Sequence, residues 1–327
     1  MGPTRTGSAA LLAALILLSG ARNPDLERVL RVGVMVTDET YLAPVQGFRD
    51  GLRDLGYDEG QHIAYEIRNA RMDRARLKAF AEEFVRERMD LIFTATHIGA
   101  LAAKEVTAGA RIPVIFAPAG DPVETGLVRS IASSGNNMTG VSTLSLELTG
   151  KRLEMLTRIV PGVKRVAILY NPEYAFSLMV ARLAHEAGGK LGLTIRDVEG
   201  RTEAAMVAAV ERLDRREVDA LFALPDIMVN NLVKQLALLA RVKRLPYMVH
   251  IRSLAGEGPL ASYGINTYAI GRQSARLADK IFNGARPSDI PIETPQKLEL
   301  ILNLKVAHEI GVTIPEVVIR QADVLLR

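Results

Sequence analysis

IPVIFAPAGDPVETGLV, residues 112–128, carries an apolar, β-branched run into a turn broken by Pro118, Gly120 and Pro122. One acid, Asp121, sits in that turn, and the segment then reads as a helix start. Strand, loop and helix N-terminus, in that order, is where parallel α/β proteins hold small ligands. The loop lacks the form of a phosphate cradle. That cradle needs Gly-x-x-x-x-Gly-Lys-Ser/Thr, so that backbone amides wrap the phosphate and the lysine reaches it. Here Gly120 and Gly126 have the wrong spacing, and Leu127 stands where the lysine would be. No Gly-x-Gly-x-x-Gly follows the first strand-like run, where GVMVTDETYLAPV brings polar residues instead. Nucleotide binding is not the expectation.

The same alternation extends outward on both sides. Strand-like runs fall at residues 31–36, 62–67, 90–95, 112–117 and 137–142, separated by segments with helical periodicity. In DRARLKAFAEEFVRER, Leu77, Phe80, Ala81, Phe84 and Val85 recur at the spacing that builds one apolar stripe opposite a charged face. A second series of strands follows at 164–171, 193–199, 218–225, 245–251 and 259–265, with helices beginning near Glu173, Thr202 and Asp226. Buried-looking strands alternating with helices imply parallel sheets covered on both faces. Two such series predict an α/β protein of two similar lobes rather than one long sheet or a closed barrel. After Gly264 one more helix ends at Gly284, and a Pro-rich crossing leads into the C-terminal segment. Crossings near residues 142–148, 264–268 and 291–300 would make a three-strand hinge. The expected N-terminal lobe is 29–142 plus 266–290, and the C-terminal lobe is 143–265 plus 298–327.

Bulk composition agrees with a large core. Of 327 residues, 48% are hydrophobic and 24% charged, and the net charge of +4 comes from interspersed residues of both signs. No basic stripe with interleaved aromatics marks a nucleic-acid surface. The first residues differ in kind: a basic start at Arg5, an apolar run too short to span a membrane, then Ser19-Gly20-Ala21. This reads as a signal peptide over 1–21 and hence export to the periplasm. There is no cysteine, which rules out disulfides, thiol catalysis, Cys-based metal sites and the lipid attachment an anchored exported protein would need.

Candidate ligand contacts are the polar residues at strand ends. In the first lobe these are Thr37 and Tyr41, then Thr94, Thr96 and His97, then Asp121. In the second they are Asn171, Asp226, His250 and Tyr263. Hydroxyls, acids and tyrosines together suit a small zwitterion with an apolar or aromatic side chain. Asp121 before Pro122 and Asp226 after Pro225 read equally as helix N-caps, Tyr41 as a lid, and the two histidines as packing residues. No histidine pair has metal-ligand spacing, and no Gly-x-Ser-x-Gly or His-Glu-x-x-His is present. Neither a metal, nor a cofactor, nor catalysis is expected.

Three long segments resemble the periplasmic substrate-binding proteins of ABC transporters, in the tryptophan/tyrosine-type group. They are FRDGLRDLGYDEGQHIAYEIRNA, the stretch from ALAAKEVTAGARIPVIFAPAGDPVETGLV to ELTGKRLEML, and ASYGINTYAIGRQSARLADKIFNG to EIGVTIP. The resemblance implies a type I periplasmic-binding-protein fold with two Rossmann-like lobes, an amino acid-like ligand in the interlobe cleft, and a monomer that delivers to a membrane permease. A ligand sensor reporting to a membrane receptor is the alternative. Two stretches depart from the group's pattern: THIGA at 96–100, and residues 226–256.

Overall fold

The computed structural model of the protein describes residues 28–327. The expected export segment lies outside the described residues. The first sheet comprises β1 (Leu30–Val36), β2 (Ile63–Asn69), β3 (Leu91–Thr94), β4 (Val114–Ala119) and β5 (Met138–Ser142). Helices α1 (Leu42–Asp54), α2 (Arg74–Arg86) and α3 (His97–Thr107) connect the first four strands. Strand order is β2-β1-β3-β4-β5, parallel throughout. β3 is buried along its whole length, as a strand covered on both faces must be. The apolar stripe of α2 buries Leu77, Ala81 and Phe84, and Asp73 caps the helix by accepting from the N–H groups of Ala75 and Arg76.

The second sheet repeats this design. Helix α4 (Ser145–Ile159) leads into β6 (Arg165–Tyr170), α5 (Ala175–Lys190), β7 (Thr194–Glu199), α6 (Glu203–Glu211) and β8 (Ala220–Ala223). Helices α7 (Ile227–Asn231) and α8 (Val233–Val242), then β9 (Tyr247–Ile251) and β10 (Ala261–Ile265), complete the unit. Its order, β7-β6-β8-β9-β10, is that of the first sheet. The chain next forms α9 (Thr267–Phe282), β11 (Leu298–Asn303), α10 (Leu304–Ile310), α11 (Glu316–Ile319) and β12 (Val324–Leu326). β11 pairs antiparallel with β10, and β12 parallel with β11, extending the second sheet to seven strands. The fold is the two-lobed α/β architecture that the alternation of segments predicts.

One expectation is corrected. Residues 120–137 contain no α-helix, although DPVETGLV reads as a helix start. Gly126 takes the left-handed conformation at φ 69, and Leu127 and Val128 turn inward to be buried. Side-chain amides then replace helical hydrogen bonds: Asn136 donates to the Leu127 carbonyl and Asn137 to that of Ile112. Cover for β4 and β5 comes instead from α9, which packs on both strands and on α1.

Helix α9 leaves the second sheet yet belongs by contact to the first. Glycines make this possible. A Cβ on Gly47 of α1 would lie 2.0 Å from the carbonyl oxygen of Tyr268, and one on Gly271 of α9 2.0 Å from that of Pro44. Tyr57, Tyr268 and Arg272 then tie the helices through Asp279, Asp50 and Asp54. On the way back, Glu293 exchanges backbone hydrogen bonds of 2.9 Å with Gly140 and Ser142. The return strand thus runs beside the end of β5, and three crossings join the lobes.

These contacts predict opposite signs for one kind of substitution. Gly271→Ala forces two backbones apart and should cost roughly 2–3 kcal/mol in urea denaturation. Gly150→Ala, in α4, places its Cβ at an ordinary 3.5 Å from Ala187 and should stabilise by about 0.5–1 kcal/mol.

Candidate functional site: the interlobe cleft

In an open parallel sheet the ligand crevice lies beyond the carboxyl ends of the strands, where strand order reverses. Both sheets reverse order beside their first strand, and the two carboxyl edges face one another. The cleft between them encloses about 630 Å³ of empty space, open mouth included. The first lobe contributes Tyr41 after β1, Thr96 and His97 after β3, and Pro118 and Gly120 at the end of β4. The second contributes Tyr174 and Phe176 after β6, Asp226 and Asn230 after β8, His250 from β9, and Arg152 from α4.

The lobes are shut. Asn230 Nδ2 donates across the cleft to the Tyr41 hydroxyl at 3.3 Å. The Phe176 ring lies 6.0 Å from the His97 ring, with 28° between their planes. It also comes within 2.9 Å of where a Cβ on Gly120 would stand, so only glycine admits this approach. Ile227 and Tyr174, from the second lobe, pack against the apolar cluster of the first.

Of the residues singled out from the sequence, Tyr41, Thr96 and Asp226 line the cleft, with His97 and His250 beside them. The others stand one layer behind. Thr37 meets Thr96 hydroxyl to hydroxyl at 2.5 Å, and Thr94 donates to the Thr96 carbonyl at 3.0 Å. Thr96 in turn caps α3 by accepting from Gly99 N–H. Asp226 caps α7 through Val229 N–H and also accepts from Asn171 N–H and the Ser177 hydroxyl, at 3.0 and 2.7 Å. Asn171 therefore acts here through its backbone. Asp121 accepts from Leu146 N–H at 3.1 Å, across the first crossing. It caps α4, whose own N-cap residue, Leu144, has no side chain able to do so. Burial pushes the Asp121 carboxyl up, against that hydrogen bond. Tyr263 offers its carbonyl rather than its phenol, accepting from Arg152 Nε at 3.1 Å.

Arg152 and Asn230 escape a reading based on strand ends. Arg152 sits in the second turn of a helix whose pattern, KRLEML, looks like an ordinary solvent-facing charge. It is 1% exposed instead. Burial lowers its guanidinium to about 10, against the pull of Asp121. Asn230 lies one turn beyond the Asp226 cap, so the short helix α7 carries it to the cleft wall. Its Oδ1 is buried without a partner, as are the Nδ1 atoms of His97 and His250. Burial drives the His97 imidazole down to about 4, and burial together with the Arg152 charge takes His250 well below the ordinary histidine range. Tyr41 is pushed up to about 12 by burial. At neutral pH the cleft wall thus presents neutral imidazoles and phenols around one guanidinium and one carboxylate. The acidic cluster Glu66, Glu83 and Glu87 lies elsewhere and is already paired with Arg31 and Arg68.

The depressed histidines set a pH dependence. Between 6.5 and about 4, the unfolded chain takes up a proton that folded His97 refuses. Stability must therefore fall as pH falls through that window, by roughly 3 kcal/mol for this residue. His97→Phe should reduce the drop in urea midpoint between pH 7 and pH 4.5; an unchanged drop would show that His97 is not held neutral.

Comparison with known proteins agrees with this geometry. A family model described as ABC transporter substrate binding protein matches residues 30–325. The chain is 28% identical over 259 residues to the tyrosine-binding protein of Clostridioides difficile, covering 79% of this chain and 73% of that one. A conserved domain protein from Vibrio cholerae superposes with a TM-score of 0.85 at 27% identity, over 91% of this chain and all of the other. An ABC domain from Streptococcus pneumoniae in complex with L-Trp gives 0.84 at 23% identity, with the same coverage. The ligand-free, open structure of a substrate-binding protein from Clostridium difficile gives 0.72 at 25% identity, over 91% and 99% of the two chains. With its match running from β1 into β12, the chain belongs to the ABC transporter substrate-binding proteins, a family that binds solutes and does not catalyse.

Proposed function

We propose that this protein is the extracytoplasmic receptor of an ABC uptake system, taking an amino acid-like solute into the interlobe cleft and presenting the closed form to a membrane permease. The observation that carries this reading is the shut cleft, whose wall holds a guanidinium, a carboxylate and three buried polar atoms without partners. Unpaired polar groups in a closed, buried space are costly unless something completes them. A zwitterion supplies both charges, and tyrosine and L-Trp are named for relatives.

On this reading the mature protein, exported by residues 1–21, works as a monomer. Its moving bodies are residues 29–142 with 266–290, and 143–265 with 298–327. A ligand drives closure only by binding the shut state more tightly than the open one. Tyr41, Thr96, Asp226 and Asn230 make contact with it. Thr37, Thr94, Asp121, Asn171 and Tyr263 hold those groups and the crossings in place. The ammonium faces the Asp226 carboxylate, the Asn230 Oδ1 and the Tyr41 hydroxyl.

Thermal denaturation with each L-amino acid tests this reading. At 100 times its dissociation constant the cognate ligand should add about 2.7 kcal/mol, and X-ray scattering should show a smaller radius of gyration. Gly120→Val, which puts a side chain where Phe176 must lie, should keep the lobes apart and weaken binding about tenfold or more. Asp226→Asn can keep the α7 cap but replaces the oxygen that accepts from Asn171 N–H and the Ser177 hydroxyl, so it should weaken amino acid binding about tenfold and also lower the unliganded melting temperature. If no amino acid raises the melting temperature or compacts the molecule, the proposed ligand class is wrong.

A further inference from the structure

A guanidinium taken out of water needs hydrogen-bond acceptors and a negative charge, and Arg152 has only the first. Nε donates to the Tyr263 carbonyl and Nη1 to the Ser145 carbonyl, at 3.1 and 3.4 Å. These two bonds clamp the plane of the group between α4 and β10, yet both acceptors are neutral. Nη2 donates to none of the described residues, and the side chain forms part of the cleft wall. The acid whose charge it feels, Asp121, forms no ion pair with it and is already bound to Leu146 N–H.

A second donor stands close by. His250 belongs to β9, lines the same cleft and is 5% exposed, and its Nδ1 has no partner. Both residues line the cleft, and Gly264 lies against the His250 backbone on one side and beside Arg152 Nη2 on the other. The backbone there is drawn tight. A Cβ on Gly264 would lie 1.8 Å from the His250 carbonyl oxygen and 3.5 Å from Arg152 Nη2. Neutral His250 adds an N–H but no charge, so the pair matches a singly charged anion with two coplanar oxygens. A dianion such as a phosphate would bring more charge than one guanidinium offsets.

We propose that Arg152 and His250 form the receptor for a carboxylate of the ligand. This inference rests on the amino acid reading and adds to it a division of labour. The carboxylate is held by groups of the second lobe alone, whereas the ammonium meets Asp226, Asn230 and, across the cleft, Tyr41. Fork-like guanidinium geometry suits a carboxylate better than a lysine ammonium can, so Arg152 also discriminates acids from amines. Because its other nitrogens hold Ser145 and the strand entering the second crossing, the carboxylate is read at the hinge itself.

The test is titration calorimetry with three matched series: the L-amino acids, their decarboxylated amines and their deaminated acids. The amine of any amino acid that binds should bind at least about 100-fold more weakly than its parent. Arg152→Gln should lose a similar factor for the parent and shrink its advantage over the amine to about threefold, while Arg152→Lys should fall between. An amine that binds as well as its parent overturns the proposal, as does Arg152→Gln with unchanged affinity. The wild-type comparison of series needs no variant, so a misfolded substitution does not blunt the test. Deaminated acids that bind as tightly as the amino acids would sink the amino acid reading and leave the carboxylate receptor standing. Silence from all three series would overturn both.

Discussion

Two glycines, Gly47 and Gly271, let α1 and α9 approach until backbone meets carbonyl oxygen. The rest of the molecule depends on this contact. It draws the chain back from the second sheet to the first after β10, and so forces a third passage before β11 can rejoin the second sheet. With one crossing the lobes would be beads on a string; with three side by side they share an axis. The bridge between Val141 and Glu293 holds two of the crossings together. Any movement of one lobe on the other is then restricted to rotation about that axis, as a hinge requires.

The same topology settles where chemistry can happen. Each sheet places its polar loops beyond its carboxyl edge, and the crossings turn those edges toward each other. What the cleft gathers is unusual in its charge: a buried guanidinium that forms no ion pair, in a wall that also holds Asp226 and whose histidines burial keeps neutral. Low solvent access strengthens any charge that pairs with Arg152 and penalises leaving it alone. Asp226 and Asp121 differ from Arg152 in this respect. Each accepts from helix N–H groups, so that α7 and α4 begin where the cleft needs them.

Much of this was legible in the residues. Strand-like runs in RVGVMV, KRVAILY and ASYGI fall where β1, β6 and β10 form, because β-branched runs bounded by turn residues leave little choice. Tyr41, Thr96 and Asp226 were legible because strand ends are where parallel sheets keep their polar groups. The helix expected after β4 was not, since its sequence obeys local rules that Leu127, Val128 and the arrival of α9 override. The departures at THIGA and over residues 226–256 fall on the cleft wall, at His97, Asp226, Asn230 and His250.

Arg152 marks the boundary between the two kinds of information. Period and composition by themselves determined two α/β units, their order and the edges that carry polar residues, because each follows from how a chain buries its own neighbours. Whether a given charge meets water or the interior depends on partners more than a hundred residues away, such as Tyr263. Only the folded chain decided that a basic residue on an ordinary helix face is enclosed at the hinge. No local pattern records which surfaces two lobes will close upon.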